Sequence, residues 1–514
     1  MILHRPIVLA GLAVALTLSA CGGAPEAPAS TPTAAPPAAP LTVVHQPSGS
    51  PIVEMRFVFR AGSAYDPPGQ AGAAWLLGHL MAQGGTEALT YPALLATLHP
   101  WAASIDVQVD RELLTFVARV HRDHVDRFYP IVRDVLLRPR LGAEDFQRLK
   151  TQALTRLTQQ VRTSDDEALA KLVLEATLFE GTPYAHPALG TEAGLSGLTL
   201  EALKAHRRRA LARDRLTVGL GGAADAALVE RVRADLAALP AVADLPATVP
   251  PPPPDAQRLI VVDQPNAGAT AMALGHTLPV TRADPDYPAL ALAASYFGQH
   301  RQFHGVLFQQ VREKRGLNYG TYAYAEAFRQ EGWERLALTN IPRRHQFWSL
   351  WVRPVPHEDR HFTLRLVTWL FRALHDQGVP AADVAAVRDF LTGYVWLERQ
   401  TDQRRLGDAI DDRFYGLSQP GAERLTLALA TLDAPAVAEV IARRLRPDAL
   451  TVVVVTKDAQ AFADAVLADA PSPKTYASPK PPEVTDLDAK VAPLPLGFRP
   501  EQVRVVPAAE LFAK

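Results

Sequence analysis

Two imidazoles one helical turn apart, with a carboxylate beside them, can hold zinc and activate a water, because positions i and i+4 of a helix share a face. The stretch Trp75-Leu76-Leu77-Gly78-His79 keeps that spacing without that chemistry. The indole of Trp75 offers no lone pair to a metal, Gly78 has no side chain, and His79 stands alone on an apolar face. A solitary imidazole in such surroundings is expected to be packed and hydrogen-bonded rather than metal-bound. Glycine inside a helix costs about 1 kcal/mol relative to alanine, so Gly78 does not serve helix stability; close packing is the alternative use. Two other histidine pairs have helical spacing. His121 and His124, at i and i+3, read as a solvated helix start, with no carboxylate aimed at them. His300 and His304, at i and i+4, fall in a segment that reads as a loop running into a helix.

The elements that must position these residues belong to a chain too long, at 514 residues, for one ordinary core. With 48% hydrophobic and 21% charged residues the composition is that of a globular protein, not a membrane bundle. A formal net charge of -1 supplies no electrostatic reason for a nucleic-acid partner, and none is expected. Order is expected to begin near Leu41-Thr42-Val43-Val44 and to continue in the alternating strand pattern Ile52 to Phe59, with helices around Gly72–Gln83, His124–Leu137 and Ala143–Gln160. Pro250 to Pro254 is an unbroken proline run that no helix or central strand tolerates. The blocks on either side look related. Leu198-Thr199-Leu200-Glu201-Ala202 leads through a basic helix to Asp214-Arg215-Leu216-Thr217-Val218. In the later block, Leu432-Asp433-Ala434-Pro435-Ala436 leads likewise to Asp448-Ala449-Leu450-Thr451-Val452. A duplicated domain accounts for the match better than coincidence.

The first residues read as a targeting segment: His4 and Arg5, an apolar run from Ile7 to Leu16 too short to span a bilayer, then Leu18-Ser19-Ala20-Cys21. This resembles a bacterial lipoprotein signal, cut before a cysteine that then carries lipid. Cys21 is the only cysteine, which excludes an intramolecular disulfide and any Cys-rich metal site. Gly22 follows it rather than an aspartate, so the expected location is the bacterial cell envelope, lipid-anchored at the outer membrane and facing the periplasm. Six segments result: signal and lipobox 1–21; a Pro/Ala-rich tether 22–40, able at about 3.1 Å per residue to reach roughly 60 Å; a first domain 41–247; a Pro-rich linker 248–257; a second domain 258–467; and a Pro-rich tail 468–514, free or lying over a partner.

The lead-in Ala61-Gly62-Ser63-Ala64-Tyr65-Asp66-Pro67-Pro68-Gly69-Gln70-Ala71-Gly72, the helix through Trp75 and His79, and Gly85-Thr86 together resemble the amino-terminal signature of the insulinase, pitrilysin and mitochondrial-processing-peptidase superfamily. There the helix reads His-x-x-Glu-His, two imidazoles bind zinc, and the Glu activates water. A third ligand, a Glu, lies on a later helix. The stretch matching it, Phe146 to Leu157, has no carboxylate up to Ser164. The resemblance therefore implies a degenerate zinc motif at Trp75, Gly78 and His79, no metal in this chain, and zinc in a partner chain.

In the second block, Leu307 to Tyr319 is similar to the family's carboxy-terminal motif, and Arg312 and Tyr319 fall where an Arg and a Tyr face the zinc across a chamber. A guanidinium and a phenol there donate hydrogen bonds to a substrate carbonyl. Ser104 to Val109 falls where the family has an edge strand that pairs with extended peptides, with Asp106 in a place that often holds Asn. The implied fold is α+β: two homologous domains, each a mostly antiparallel sheet with helices packed on one face. The implied role is the non-catalytic, substrate-binding partner of a homologous zinc-binding peptidase chain acting on unfolded or short peptides. The alternatives are a peptide-binding or scaffold lipoprotein without hydrolysis, and an independent metallopeptidase, for which ligands are lacking.

Overall fold

The computed structural model describes residues 41–299, 302–329 and 336–514. The signal with Cys21, the tether and His300 lie outside them. Runs of β-branched and aromatic residues form two sheets. The first contains β1 (Thr42–Pro47), β2 (Ile52–Phe59), β3 (Ser104–Val109), β4 (Leu114–His121) and β5 (Leu216–Gly222), in the order β1-β5-β2-β4-β3. The second contains β6 (Arg258–Asp263), β7 (Thr270–Leu278), β8 (Thr321–Tyr324), β9 (Gln346–Val355), β10 (Thr451–Thr456) and β11 (Val503–Pro507), in the order β11-β6-β10-β7-β9-β8. Apart from β11 the two orders are the same path traced twice, which is the duplication read from the repeated helix–strand units. β1 with β5, and β10 and β11 with β6, are parallel; the remaining pairings are antiparallel.

Helices cover one face of each sheet, and each sheet also carries one helix from the other half. Asp166–Leu178, from the first half, lies on β7 and β10; Asp402–Phe414, from the second, lies on β5, β1 and β2. Leu169, Val173 and Leu174 pack with Val262, Ala273 and Val453, while Leu406 and Ile410 pack with Val58 and Leu113. This exchange explains why the alternation in β2 does not mark a wet face. Glu54 and Arg56 point to the second face but are buried beneath the visiting helix. There Arg56 Nη1 donates to Asn340 Oδ1 at 2.8 Å and Nη2 to Gln403 O at 3.3 Å. Gly219 on β5 makes the approach possible, since a Cβ there would stand 2.6 Å from Ile410 Cδ1.

A buried ionic network stitches the halves together. Arg343 binds Asp110 through Nε (2.7 Å) and Nη2 (2.9 Å), and binds Glu175 through Nη1 (2.8 Å); Glu175 also accepts from Arg111 Nε. Burial alone would raise the Asp110 carboxyl, but the Arg343 guanidinium brings it down to about 2. The Pro-rich segment after 468 is folded. Val503–Pro507 adds β11 alongside β6, Asp488 takes a buried ion pair from Arg315 at 2.8 Å, and Glu192 N donates to Phe512 O at 2.8 Å, returning the chain to the first half.

Candidate functional site

The helix Ala73–Gln83 carries Trp75, Gly78 and His79. The Asp66 carboxylate accepts from Gly72 N and Ala74 N, both at 2.7 Å, and so satisfies amide donors that a helix start leaves unpaired. Burial pushes that carboxyl up to about 7 against the pull of these donors. The helix lies against β3 and β4, and Gly78 is the point of closest approach: a Cβ there would lie 2.6 Å from Leu114 Cδ1 and 3.0 Å from Val107 Cγ2. The glycine is a packing device, at a position where the resemblance places a catalytic carboxylate.

Trp75 is buried and its indole stacks on the imidazole of His79, with ring centroids 3.7 Å apart and planes 22° from parallel. His79 Nδ1 donates to Trp75 O at 2.8 Å, since a carbonyl can only accept. Burial brings the imidazole down to about 4; the bond to Trp75 O works against that, and Arg156 and Arg329 add to it. His79 is therefore neutral near pH 7, with Nδ1 protonated and Nε2 left as the lone-pair atom. It is packed and hydrogen-bonded as a solitary imidazole should be.

Within Phe146–Leu157, Arg156 is the charged residue that the fold brings to His79. It follows the helix Ala143–Thr155, which packs on the Trp75 helix, and opens a π-helical stretch to Ser164. A cation thus stands where a zinc ligand is looked for. Arg329 comes to the same place from the second half. Its Nη1 donates to Val109 O at 2.8 Å and lies 3.8 Å from Asp110. Among the described residues no three His, Cys, Asp or Glu side chains converge in a way that could hold a metal. The residues present do not fit zinc: an indole, a glycine, one imidazole and two guanidiniums surround the position. Neither arginine is marked by sequence pattern, although Arg156 lies in the stretch already singled out.

β3 is the terminal strand of its sheet, and Asp106 is exposed on it opposite Val117. Asp110 N bonds Leu113 O at the turn, so Val109, Val107 and Ile105 direct their backbone groups away from β4, toward the open edge. Arg329 occupies the first of these carbonyls. Arg312 and Tyr319 come together in the second half. Arg312 lies in the π-helical turn Phe308–Glu313, with its guanidinium 4.8 Å from the Phe308 ring centroid and 4.5 Å from that of Tyr319. Tyr319 is 68% exposed. Arg353 stands 5.5 Å from the Tyr319 ring and pairs with Glu167 of the visiting helix at 3.1 Å, contacts that the sequence does not announce. His304 packs edge-on to Phe390, and the His121 and His124 rings are 6.5 Å apart.

Comparison with known proteins agrees with this geometry. Residues 42–192 match the family described as insulinase (peptidase family M16), and residues 197–343 match the peptidase M16 inactive domain. The chain belongs to the insulinase family, as a member whose zinc motif is degenerate. It is 29% identical over 172 residues to the "non-peptidase homolog YmxG" of Helicobacter pylori (strain ATCC 700392 / 26695), a match covering 34% of this chain and 39% of that protein's length. Its fold is similar to the crystal structure of a peptidase M16 inactive domain from Pseudomonas fluorescens (TM-score 0.72, 22% identity, 81% of this chain and 96% of that one). It is also similar to that of a protease from Helicobacter pylori (TM-score 0.69, 14% identity, 80% and 96%).

Proposed function

We propose that this chain is the non-catalytic, substrate-binding partner subunit of a two-chain zinc peptidase acting on unfolded or short peptides, with zinc held by a homologous chain that keeps His-x-x-Glu-His. The observation that carries the reading is an asymmetry. The metal helix has been rebuilt as packing, while Arg312 and Tyr319 remain paired and accessible. A guanidinium stacked on an exposed phenol presents N–H and O–H donors that can stabilise charge developing on a substrate carbonyl in a site completed by the other chain. The open edge of β3 supports peptide binding by strand addition, with Asp106 beside the added strand. The relative described as a non-peptidase homolog supports the non-catalytic part of the reading. The same proposal places the mature protein in the bacterial cell envelope, anchored through lipid on Cys21.

The test is reconstitution. The purified chain is mixed with a zinc-binding homologue from the same cell, and peptide hydrolysis is followed across the titration. Activity that rises and saturates near an equimolar ratio supports the proposal. A homologue that is fully active alone and forms no complex with this chain would refute it. In that event peptide binding without hydrolysis is the remaining reading, favoured by the open β3 edge.

A further inference from the structure

We propose that the helix face where zinc peptidases of this family hold their metal has become, in this chain, a receptor for the terminal carboxylate of a peptide lying along β3. The inference rests on the reading that peptides add to this edge. Three observations support it.

The first is a local surplus of positive charge. Arg156 is exposed and has no hydrogen-bond or ion-pair partner among the described residues. Among the described residues Arg329 has only a distant carboxylate, Asp110 at 3.8 Å, which already accepts two bonds from Arg343. His79 adds no charge of its own: burial first, and then Arg156 and Arg329, lower its affinity for a proton.

The second is position along the edge. Arg329 closes the Val109 carbonyl and leaves Ile105 and Val107 to pair with an incoming strand. An added strand must therefore stop at Arg329, as a chain end does and a continuing polypeptide does not.

The third is direction. A peptide running parallel to β3 delivers its C-terminal carboxylate to Arg329 and Arg156; an antiparallel one delivers its cationic amino terminus, which these charges repel. Guanidinium–carboxylate bonds are charge-assisted and able to select between the two.

The experiment is calorimetric titration of the full folded chain at low ionic strength with three versions of one Val/Thr-rich hexapeptide: the free acid, the C-terminal amide, and an amide carrying an internal Glu. The free acid is expected to bind at least about tenfold more tightly than the plain amide. That preference is expected to vanish in Arg156→Gln/Arg329→Gln and to return in part in Arg156→Lys/Arg329→Lys, each checked by circular dichroism for an unchanged fold. Equal affinity for acid and plain amide would overturn the inference while leaving peptide binding intact, as would a preference that survives the double glutamine variant. An internal-Glu amide as tight as the free acid would overturn the chain-end assignment. Failure of all three peptides to bind would remove the underlying reading as well.

Discussion

The indole of Trp75 stacks on the imidazole of His79 at 3.7 Å, so the residue occupying the first ligand position immobilises the second. Two restoring substitutions, Trp75→His and Gly78→Glu, are expected neither to create a zinc site nor to yield zinc-dependent hydrolysis. They leave Arg156 beside His79, where a third ligand, a carboxylate, would be required. The glutamate must also displace Leu114 and Val107, which a Cβ at residue 78 meets at 2.6 and 3.0 Å. Overpacking of this kind costs about 1–3 kcal/mol. Elemental mass spectrometry and a thermal melt check both parts: no stoichiometric zinc, and a lower melting temperature than wild type. One zinc per chain in the double variant would show that a third ligand exists elsewhere.

Arg312 and Tyr319 are predicted to act on turnover and not on assembly. Arg312→Ala with Tyr319→Phe removes the guanidinium and the phenol donor but keeps the ring, which is exposed and contributes little to any core. In the reconstituted pair, kcat is expected to fall by about 10²–10³, the usual loss for an oxyanion donor, with complex formation unchanged by analytical ultracentrifugation. Unaltered kcat would remove the catalytic role from the proposed function.

Much of this arrangement is legible in the sequence, and the rest is not for physical reasons. The strand at 52–59 and the helix through His79 follow from periodicity, which is local; the duplication follows from the repeated helix–strand segments, and the β3 edge is what the family resemblance implies. The exchange of helices is not local. Leu406 and Ile410 make an apolar stripe that would look the same packed on either sheet, and only the glycine at 219 records which one receives it. Val503 to Val506 is strand-like but surrounded by prolines, and its parallel pairing with β6 depends on a neighbour far away in the chain. Arg156 and Arg329 are ordinary surface arginines in sequence. Their meaning arises only when the fold brings both within electrostatic reach of His79.

The interlocking predicts one cooperative unfolding transition for residues 41–514. Glu175 sits on the helix that crosses into the second half and accepts from both Arg111 and Arg343. Glu175→Ala leaves two buried guanidiniums short of a partner, and breaking such a pair costs about 3–5 kcal/mol. Urea denaturation should show that loss with a single transition retained. Glu180→Ala, which removes a more exposed pair with Arg258, should cost less than about 1 kcal/mol. Two separated transitions in wild type would contradict the interlocked reading.

Acid sensitivity is expected to come in part from His206. Its ring is buried, with neither nitrogen hydrogen-bonded among the described residues, and burial brings it from 6.5 down to about 4. Between those values the unfolded chain holds a proton that the folded chain does not, so stability present above about pH 6.5 is lost as pH falls toward 4, by up to about 1.4 kcal/mol per pH unit. Asp66 and Asp411, raised by burial to about 7, work in the opposite sense, since their folded forms gain protons first and stability rises as pH falls through the range between about 7 and 3.8. The slope of wild type alone is therefore a mixture, and the comparison that isolates the imidazole is with His206→Leu, which keeps an apolar side chain and removes the titration. Melting temperatures measured from pH 7 to pH 4.5 should fall less steeply in the variant than in wild type. Identical slopes would mean that His206 is charged in the folded protein, with a partner for its proton beyond the described residues.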